Sequence, residues 1–133
     1  MLQFHSYVVD EIRFRHLPAS DTPQQFQLHP HFKRTTTAVK DTQYDVTLTI
    51  EISTLEDNPA PFELFISLTG RFTLLESEPL APETKAAILQ NNTAAILFPY
   101  LRATVSSVVS SANLPALLLP VMSFQDELPE ETE

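Results

Sequence analysis

The sequence predicts an α+β domain: a four-stranded antiparallel sheet, arranged as a meander, with helices packed on one face. β-patterned segments fill the chain as far as Leu74, apolar residues then recur at helical spacing, and the strands need no long crossover connections. Strands followed by helices are typical of the α+β class. The length of 133 residues suits one domain with one hydrophobic core.

The first two predicted strands are irregular. In residues 2–14, Tyr7 fits one face and Ile12 fits the other, which predicts a bulge or kink between them. In residues 25–37 the alternation is interrupted by Pro30. Because proline cannot donate a hydrogen bond to a ladder, this strand is predicted to lie at an edge of the sheet or to bulge there.

The third and fourth strands are regular. From Tyr44 to Ile52 apolar and polar residues alternate strictly, and the alternation returns from Phe62 to Leu74. The connection between them contains Asp57-Asn58-Pro59, which suits a loop joining antiparallel neighbours. Gly70 within the fourth strand indicates either a bulge or a close approach of another backbone.

Helical spacing follows the sheet. Residues 86–90 predict a short helix with Pro82 in its first turn. A longer amphipathic helix comes next. Its apolar residues are Leu97, Leu101, Val105, Val108 and Ala112. Pro99 either starts this helix near Phe98 or kinks a helix that begins near Asn92.

Composition excludes several classes of function. The net charge of -9, from 17 acidic and 8 basic residues, repels phosphate backbones and argues against nucleic-acid binding. The absence of cysteine excludes disulfides and thiolate metal sites, and a single glycine excludes a phosphate-binding loop. With no signal-peptide pattern and no run of about 18 apolar residues, we expect a cytoplasmic protein without a membrane-inserted segment.

The end of the sequence is strongly acidic. Its acidic residues are Asp126, Glu127, Glu130, Glu131 and Glu133. Runs of like charge are usually solvated and disordered. We therefore expect residues 1–124 to form a single domain and residues 125–133 to form an acidic disordered tail, with docking to a basic partner as the alternative.

No set of residues indicates catalysis. His29 and His31 would share a strand face and could ligate a metal, but no third ligand is evident. Glu51 and Glu63 could face each other across neighbouring strands. Paired carboxylates indicate catalysis only when they lie within a cleft, and a polar sheet face is the alternative. We therefore predict a non-enzymatic protein with no cofactor and no metal site.

The chain has more apolar residues than one helix-covered sheet face can bury. Phe65 falls in the outward phase of its strand, as do Tyr7 and Val9 in theirs. A sheet face without helices must stay wet or meet a partner. The surplus predicts either burial in a homo-oligomer or a groove for extended apolar polypeptide.

Motifs in the second half of the chain resemble those of the SecB protein-export chaperones. One motif, just before a helix, is Ile96-Leu97-Phe98-Pro99-Tyr100, which is similar to the hallmark of that family. The stretch from Leu114 to Phe124 resembles a second family motif with one residue deleted before its second proline. The segment Gly70-Arg71-Phe72 matches a Gly-x-Phe of the family.

The resemblance implies a SecB fold and a chaperone function. Family members assemble as dimers of dimers, hold unfolded polypeptide in apolar grooves and deliver it to the SecA motor without a cofactor. The resemblance therefore implies a polypeptide-binding surface on this chain as well. Its residues would be Tyr7, Phe65, Phe98, Tyr100, Leu117 and Leu119.

The chain departs from the family where SecA would dock. The family uses an acidic patch on the solvent face of the sheet, to which Glu11 and Glu63 would contribute here. Arg15 and Phe65 stand where further carboxylates are expected, and this weakens electrostatic docking. We expect the family's last helix to be absent, because residues 125–129 leave no room for it after Phe124. The alternative is therefore a SecB-fold protein dedicated to one partner, such as a toxin–antitoxin component or an assembly factor, without SecA docking.

Overall fold

The described part of the fold contains five strands and two helices joined by a π-helical turn. A computed structural model describes residues 1–16, 30–53 and 62–113, together with the backbone of residues 130–132. The strands are β1 (Leu2–His16), β2 (His31–Lys40), β3 (Gln43–Ile52), β4 (Phe62–Leu74) and β5 (Glu130–Thr132). The helical elements are α1 (Pro82–Ala87), the π-helical turn (Ile88–Asn92) and α2 (Thr93–Ser111).

The strand order in the sheet is β1-β4-β3-β2-β5. All pairings among β1 to β4 are antiparallel, so the predicted four-stranded antiparallel sheet is confirmed. The order departs from a simple meander, because β1 lies beside β4 and not beside β2. Alternation assigns residues to faces but carries no information on which strands are neighbours, so the predicted meander is corrected for the position of β1.

β5 adds a short parallel strand at the outer edge of β2. Its residues fall within the segment that was expected to be disordered, and no pattern in the sequence predicts their pairing. The remainder of that acidic tail and the motif from Leu114 to Phe124 lie outside the described residues.

β1 carries the irregularity that the sequence predicted. Its register on β4 shifts at His5 and again at Asp10, and each bulge reverses the alternation of the residues that follow. As a result Tyr7, Val9 and Ile12 all lie on the side of the sheet that faces the helices. The expectation that Tyr7 and Val9 point away from the helices is wrong, because it allowed for no bulge before Tyr7.

One continuous helical segment follows the sheet. α1 begins with Pro82 in its first turn, as predicted, and Pro99 lies inside α2, so the alternative of a helix that begins near Asn92 is confirmed. The missing N–H of Pro99 removes one helical hydrogen bond, to the carbonyl of Ala95. By length and composition alone the helical segment Pro82–Ser111 could cross a membrane. Its apolar side packs on the sheet, where residues such as Leu97, Leu101 and Val105 belong to the hydrophobic core.

The core forms where α2 lies across β3 and β4. A Cβ atom on Gly70 would lie 2.6 Å from the Leu97 Cδ2 atom, so the Leu97 side chain fills the space that a side chain at position 70 would need. The close contact at Gly70 is thus made by the Leu97 side chain and not by another backbone, and the register of β4 on β3 is regular there, so β4 has no bulge against β3 at this point. Fully buried side chains in this layer are Val46, Leu48, Ile50, Leu97, Leu101 and Val105.

Candidate polypeptide-binding surface

An exposed row of apolar side chains lies on the helix-facing side of β1. We call it the apolar strip, and its members are Tyr7, Val9 and Ile12 of β1 and Tyr100 of α2. They are exposed by 37%, 39%, 48% and 38%, respectively. Large apolar side chains that are grouped at a surface indicate a site of interaction with a partner.

The strip is exposed because the helix runs beside it and not over it. An α-helix with its side chains is about 10 Å wide, and neighbouring strands lie about 4.8 Å apart, so one helix covers about two strands. α2 lies over β3 and β4, and β1 is the next strand outward. The helix-facing residues of β1 therefore lie at the margin of the covered area.

Aromatic contacts hold one end of the strip in place. The rings of Tyr7 and Tyr100 lie with their centroids 4.5 Å apart, and Phe4 packs against Tyr100 at 5.7 Å. Phe4 in turn contacts the buried ring of Phe72 at 5.2 Å. The two tyrosines are thus supported by the core, so they present a preformed apolar surface to a partner.

The opposite, outer face of the sheet is polar, and its side chains bond to one another. Arg71 donates two hydrogen bonds to the carboxylate of Asp45, at 2.9 and 3.0 Å. The hydrogen bond from Arg71 to Asp45 raises the pKa of the Arg71 guanidinium. Thr69 bonds both Thr47, at 2.8 Å, and Asp10, at 2.5 Å. These polar groups already have partners, and Val8 of β1, which is 59% exposed, lies beside them on the same face.

The acidic patch expected on the outer face is balanced by cations. The Glu11 carboxylate lies 3.0 Å from the Arg13 guanidinium, and Glu63 is the cross-strand neighbour of Arg15. Arg13 also lies over the ring of Phe65, 4.4 Å from its centroid. Carboxylates that are paired with arginines attract a basic partner less strongly than a patch of unpaired carboxylates would.

The structure separates the residues predicted to bind polypeptide. Tyr7 and Tyr100 are brought together. Phe65 lies on the opposite face of the sheet, so it cannot share a groove with them. Phe98 is only 5% exposed and packs against Phe32 in the core, so its inclusion among exposed binding residues is corrected: the helical phase of α2 points it at the sheet. Leu117 and Leu119 lie outside the described residues.

Sequence reasoning missed Ile12 as a surface residue, and it missed a polar anchor on β2. Ile12 escaped notice because the bulges of β1 hide its phase. The anchor is Arg34, a buried residue on the helix-facing side of β2 whose Nη1 atom donates a hydrogen bond to the carbonyl of Gln90 at 3.0 Å. Gln90 belongs to the π-helical turn, where carbonyls leave the regular α-helical hydrogen-bonding pattern. No sequence signal marks a π-helical turn, so this contact was not predictable.

A carboxylate fixes the approach to α1. The backbone N–H of Leu80 donates to the Oε1 atom of Glu76 at 2.9 Å, and this hydrogen bond lowers the pKa of the carboxyl. The ammonium of Lys85 lies 3.5 Å from the other carboxylate oxygen. Together these contacts hold the connection between β4 and α1 in one conformation.

The histidines do not form a metal site within the described residues. His31 is exposed on β2 beside Glu51, and His29 lies outside the described part. On β1, the Nε2 atom of His5 is 2.6 Å from the Thr73 hydroxyl. The residues that the structure describes contain no group of three potential metal ligands.

A family model and two protein-export proteins match the sequence. The model described as preprotein translocase subunit SecB matches residues 4–130. A SecB protein-export protein of Anaplasma phagocytophilum is 36% identical over 81 residues, which cover 61% of this chain and 51% of that protein, about half its length. A SecB protein-export protein of Francisella tularensis subsp. novicida is 28% identical over 141 residues, covering 98% of this chain and 91% of that protein.

The fold is similar to that of a solved SecB-like chaperone. That protein comes from Mycobacterium tuberculosis, and its structure holds a peptide from the HigA1 antitoxin. The superposition covers 91% of this chain and 90% of the other, with a TM-score of 0.72 and 15% sequence identity. At this level of identity the similarity concerns the fold.

Proposed function

The chain belongs to the SecB family, and from this premise we propose that it is a non-enzymatic chaperone that binds unfolded or partly folded polypeptide through the apolar strip. The observation that carries the proposal is the exposure of Tyr7, Val9, Ile12 and Tyr100 on a folded, well-packed sheet. A protein that holds unfolded chains needs apolar surface and no reactive group. The fold supports that surface from below through the aromatic contacts of Phe4.

The strip suits clients of varied sequence. A tyrosine ring offers a large apolar body and a polar hydroxyl, so it accommodates apolar and polar side chains alike. The outer edge of β1 runs along the strip, and β1 pairs with β4 alone among the described strands. Backbone groups on a sheet edge can hydrogen-bond to an extended chain whatever its sequence. An extended client would therefore gain main-chain hydrogen bonds and apolar contacts at the same margin.

The same margin also suits self-association. A long edge strand with apolar neighbours is seldom left bare, and homo-oligomers are mostly built on symmetric contacts. We propose a cytoplasmic homo-oligomer, a dimer or a dimer of dimers. Docking to a SecA-type motor through Glu11 and Glu63 would be weak, since Arg13 and Arg15 lie beside these carboxylates.

One observation favours a second candidate function, a chaperone dedicated to a single partner. On the outer face, Phe65 and Arg13 stack and Arg15 adds a second positive charge beside Glu63. A surface with this mixture of charge and aromatic character fits a specific partner better than a general basic one. In this version the apolar strip holds a single native client.

The experiment that tests the proposal compares two matched apolar-to-polar variants, Ile12→Ser and Leu75→Ser. Ile12 is 48% exposed on the strip, and Leu75 is 44% exposed outside it. A reduced, permanently unfolded protein serves as the client, and its aggregation is followed by light scattering. The wild type and Leu75→Ser should suppress aggregation equally, while Ile12→Ser should need about ten times more protein, because burial of one large apolar side chain contributes about 1.5 kcal/mol.

Solution mass measured on the same samples separates the alternatives. A wild type that ignores several unfolded clients, yet retains one native partner at submicromolar affinity, would support the dedicated function. Equal activity of the two variants would exclude the strip as the binding surface. If Ile12→Ser lowers the mass of the protein without client, the strip is a subunit interface.

A further inference from the structure

The margin of the sheet opposite the apolar strip is formed by β2, and β2 is cationic. Its ten residues contain Lys33, Arg34 and Lys40 and no carboxylate, although the whole chain has 17 acidic residues and only 8 basic ones. Lys33 and Lys40 are exposed. The strand thus places a local positive charge on the edge of a protein whose net charge is -9.

An acidic segment of the chain lies on this cationic edge. In the parallel pairing of β5 with β2, Glu130 is the partner of Arg34 and Glu131 is the partner of Thr35. The pairing involves only three residues of β5, and parallel ladders are slightly less stable per residue than antiparallel ones. So short a strand is held weakly enough to exchange with another one.

We propose that the outer edge of β2 is an acceptor site for an extended, acidic polypeptide segment of a partner, and that the chain's own segment Glu130–Thr132 is the resident competitor. Backbone hydrogen bonds along the edge supply sequence-independent affinity, while the cations of β2 select acidic segments. β1 and β2 lie at opposite margins of the four-stranded sheet, so this site and the apolar strip can bind independently.

The resident segment sets how tightly an added peptide binds. A segment that is tethered to its own site acts at an effective concentration of the order of millimolar. A peptide with an intrinsic dissociation constant of about 100 µM would then bind the intact protein about tenfold more weakly than that value. Weakening the resident segment should restore the intrinsic affinity.

The test uses a fluorescent peptide with the sequence of residues 125–133 and full-length protein variants. Glu131→Lys reverses one charge within β5, and Glu127→Lys makes the same change in the acidic segment outside β5. By fluorescence anisotropy, Glu131→Lys should bind the peptide about tenfold more tightly than the wild type, and Glu127→Lys less than about threefold more tightly. Equal gains for the two variants would mean that general charge repulsion, and not strand competition, governs binding.

A second pair of variants locates the site. In the Glu131→Lys background, Lys33→Glu reverses a charge on β2, and Lys85→Glu makes the same change on α1, away from the β2 edge. The first should weaken peptide binding at least tenfold and the second should leave it unchanged. Circular dichroism on each variant verifies that the protein is folded.

Ile12→Ser should leave binding of the acidic peptide intact, so a failure of the chaperone proposal would not affect this one. Absence of peptide binding by Glu131→Lys at millimolar concentration, or equal losses for Lys33→Glu and Lys85→Glu, would overturn the proposal.

Discussion

Two apolar rows face the same side of the sheet in very different surroundings. The covered row on β3 consists of Val46, Leu48, Ile50 and Ile52, none of which is more than 1% exposed. The apolar strip on β1 points the same way, yet its members are more than a third exposed. Their local chemistry is alike, so the difference comes from position: α2 covers two strands, and β1 is outside its width.

The comparison separates two kinds of information. Alternation along a strand tells which side chains share a face, and this is encoded locally. Whether that face is buried depends on the path of a helix that lies far away in sequence. Apolar residues therefore stabilise the core on one strand and form a candidate binding surface on another. Apolar character alone does not distinguish the two cases.

The largest expected effect comes from making one substitution in both rows. Ile50→Ala, in the covered row, should lower the free energy of unfolding by about 3 kcal/mol, because it removes buried methyl groups and leaves a cavity. Ile12→Ala, on the strip, should cost less than about 1 kcal/mol, since the side chain is half in water. Urea denaturation at matched protein concentration measures both. Equal losses would show that the strip is buried in the working assembly.

An intermediate effect is expected at Arg34, a buried polar residue on the helix-facing side of β2. Arg34→Met removes the hydrogen bond to the carbonyl of Gln90 and should cost about 2 kcal/mol, the range for leaving a buried acceptor unsatisfied. Lys40→Met also replaces a cation by methionine, but at an exposed position of β2, and it should change stability by less than about 0.5 kcal/mol. If both variants unfold at the same urea concentration, the arginine does not anchor the π-helical turn.

A smaller effect is expected within the strip itself. A double-mutant cycle of Tyr7→Ala and Tyr100→Ala should give a coupling energy of about 0.5–1 kcal/mol, as for other aromatic pairs. Thermal or urea unfolding of the four proteins measures it. A coupling of zero would mean that the two rings move independently in solution, and the strip would then not be preformed.

The smallest effect concerns pH. Because the folded-state pKa of Glu76 is lowered by the N–H of Leu80, its contribution to stability is complete above the unfolded-state value of about 4.3 and is lost as the pH falls through the folded-state pKa. The melting temperature of the wild type should therefore exceed that of Glu76→Gln at pH 7, and the difference should shrink as the pH falls through the folded-state pKa. A difference that persists at low pH would assign the effect to something other than the carboxylate charge.

Much of the fold was predictable because it follows from periodicity. The alternation of β3 and β4 and the helical spacing of α2 appear directly in the residue pattern. The order of the strands was not predictable, because the side of the sheet that β1 joins depends on contacts distant in sequence. The pairing of β5 is likewise a long-range contact without a local signal.

The candidate site was only partly predictable for a related reason. Tyr7 and Tyr100 were identified. Tyr7 was assigned to the wrong face, because the bulge at His5 that precedes it was not predicted. Phe98 and Phe65 were predicted to bind polypeptide because of their apolar character. In the structure Phe98 lies in the core and Phe65 lies on the outer face of the sheet. The position of this site depends on which strands the helix covers. The sequence of one strand does not contain that information.

The two bulges of β1 affect which deletions this strand can tolerate during evolution. Like two compensating frameshifts in a gene, the extra residues at His5 and Asp10 reverse the alternation and then restore it. Deletion of Asp10 alone would remove its bulge and leave Ile12 and Phe14 facing the helices, because an extra residue has no register partner on β4. Homologues of this protein can therefore lose the bulges one at a time, and those that lack both should carry their apolar residues at every second position of the strand without interruption.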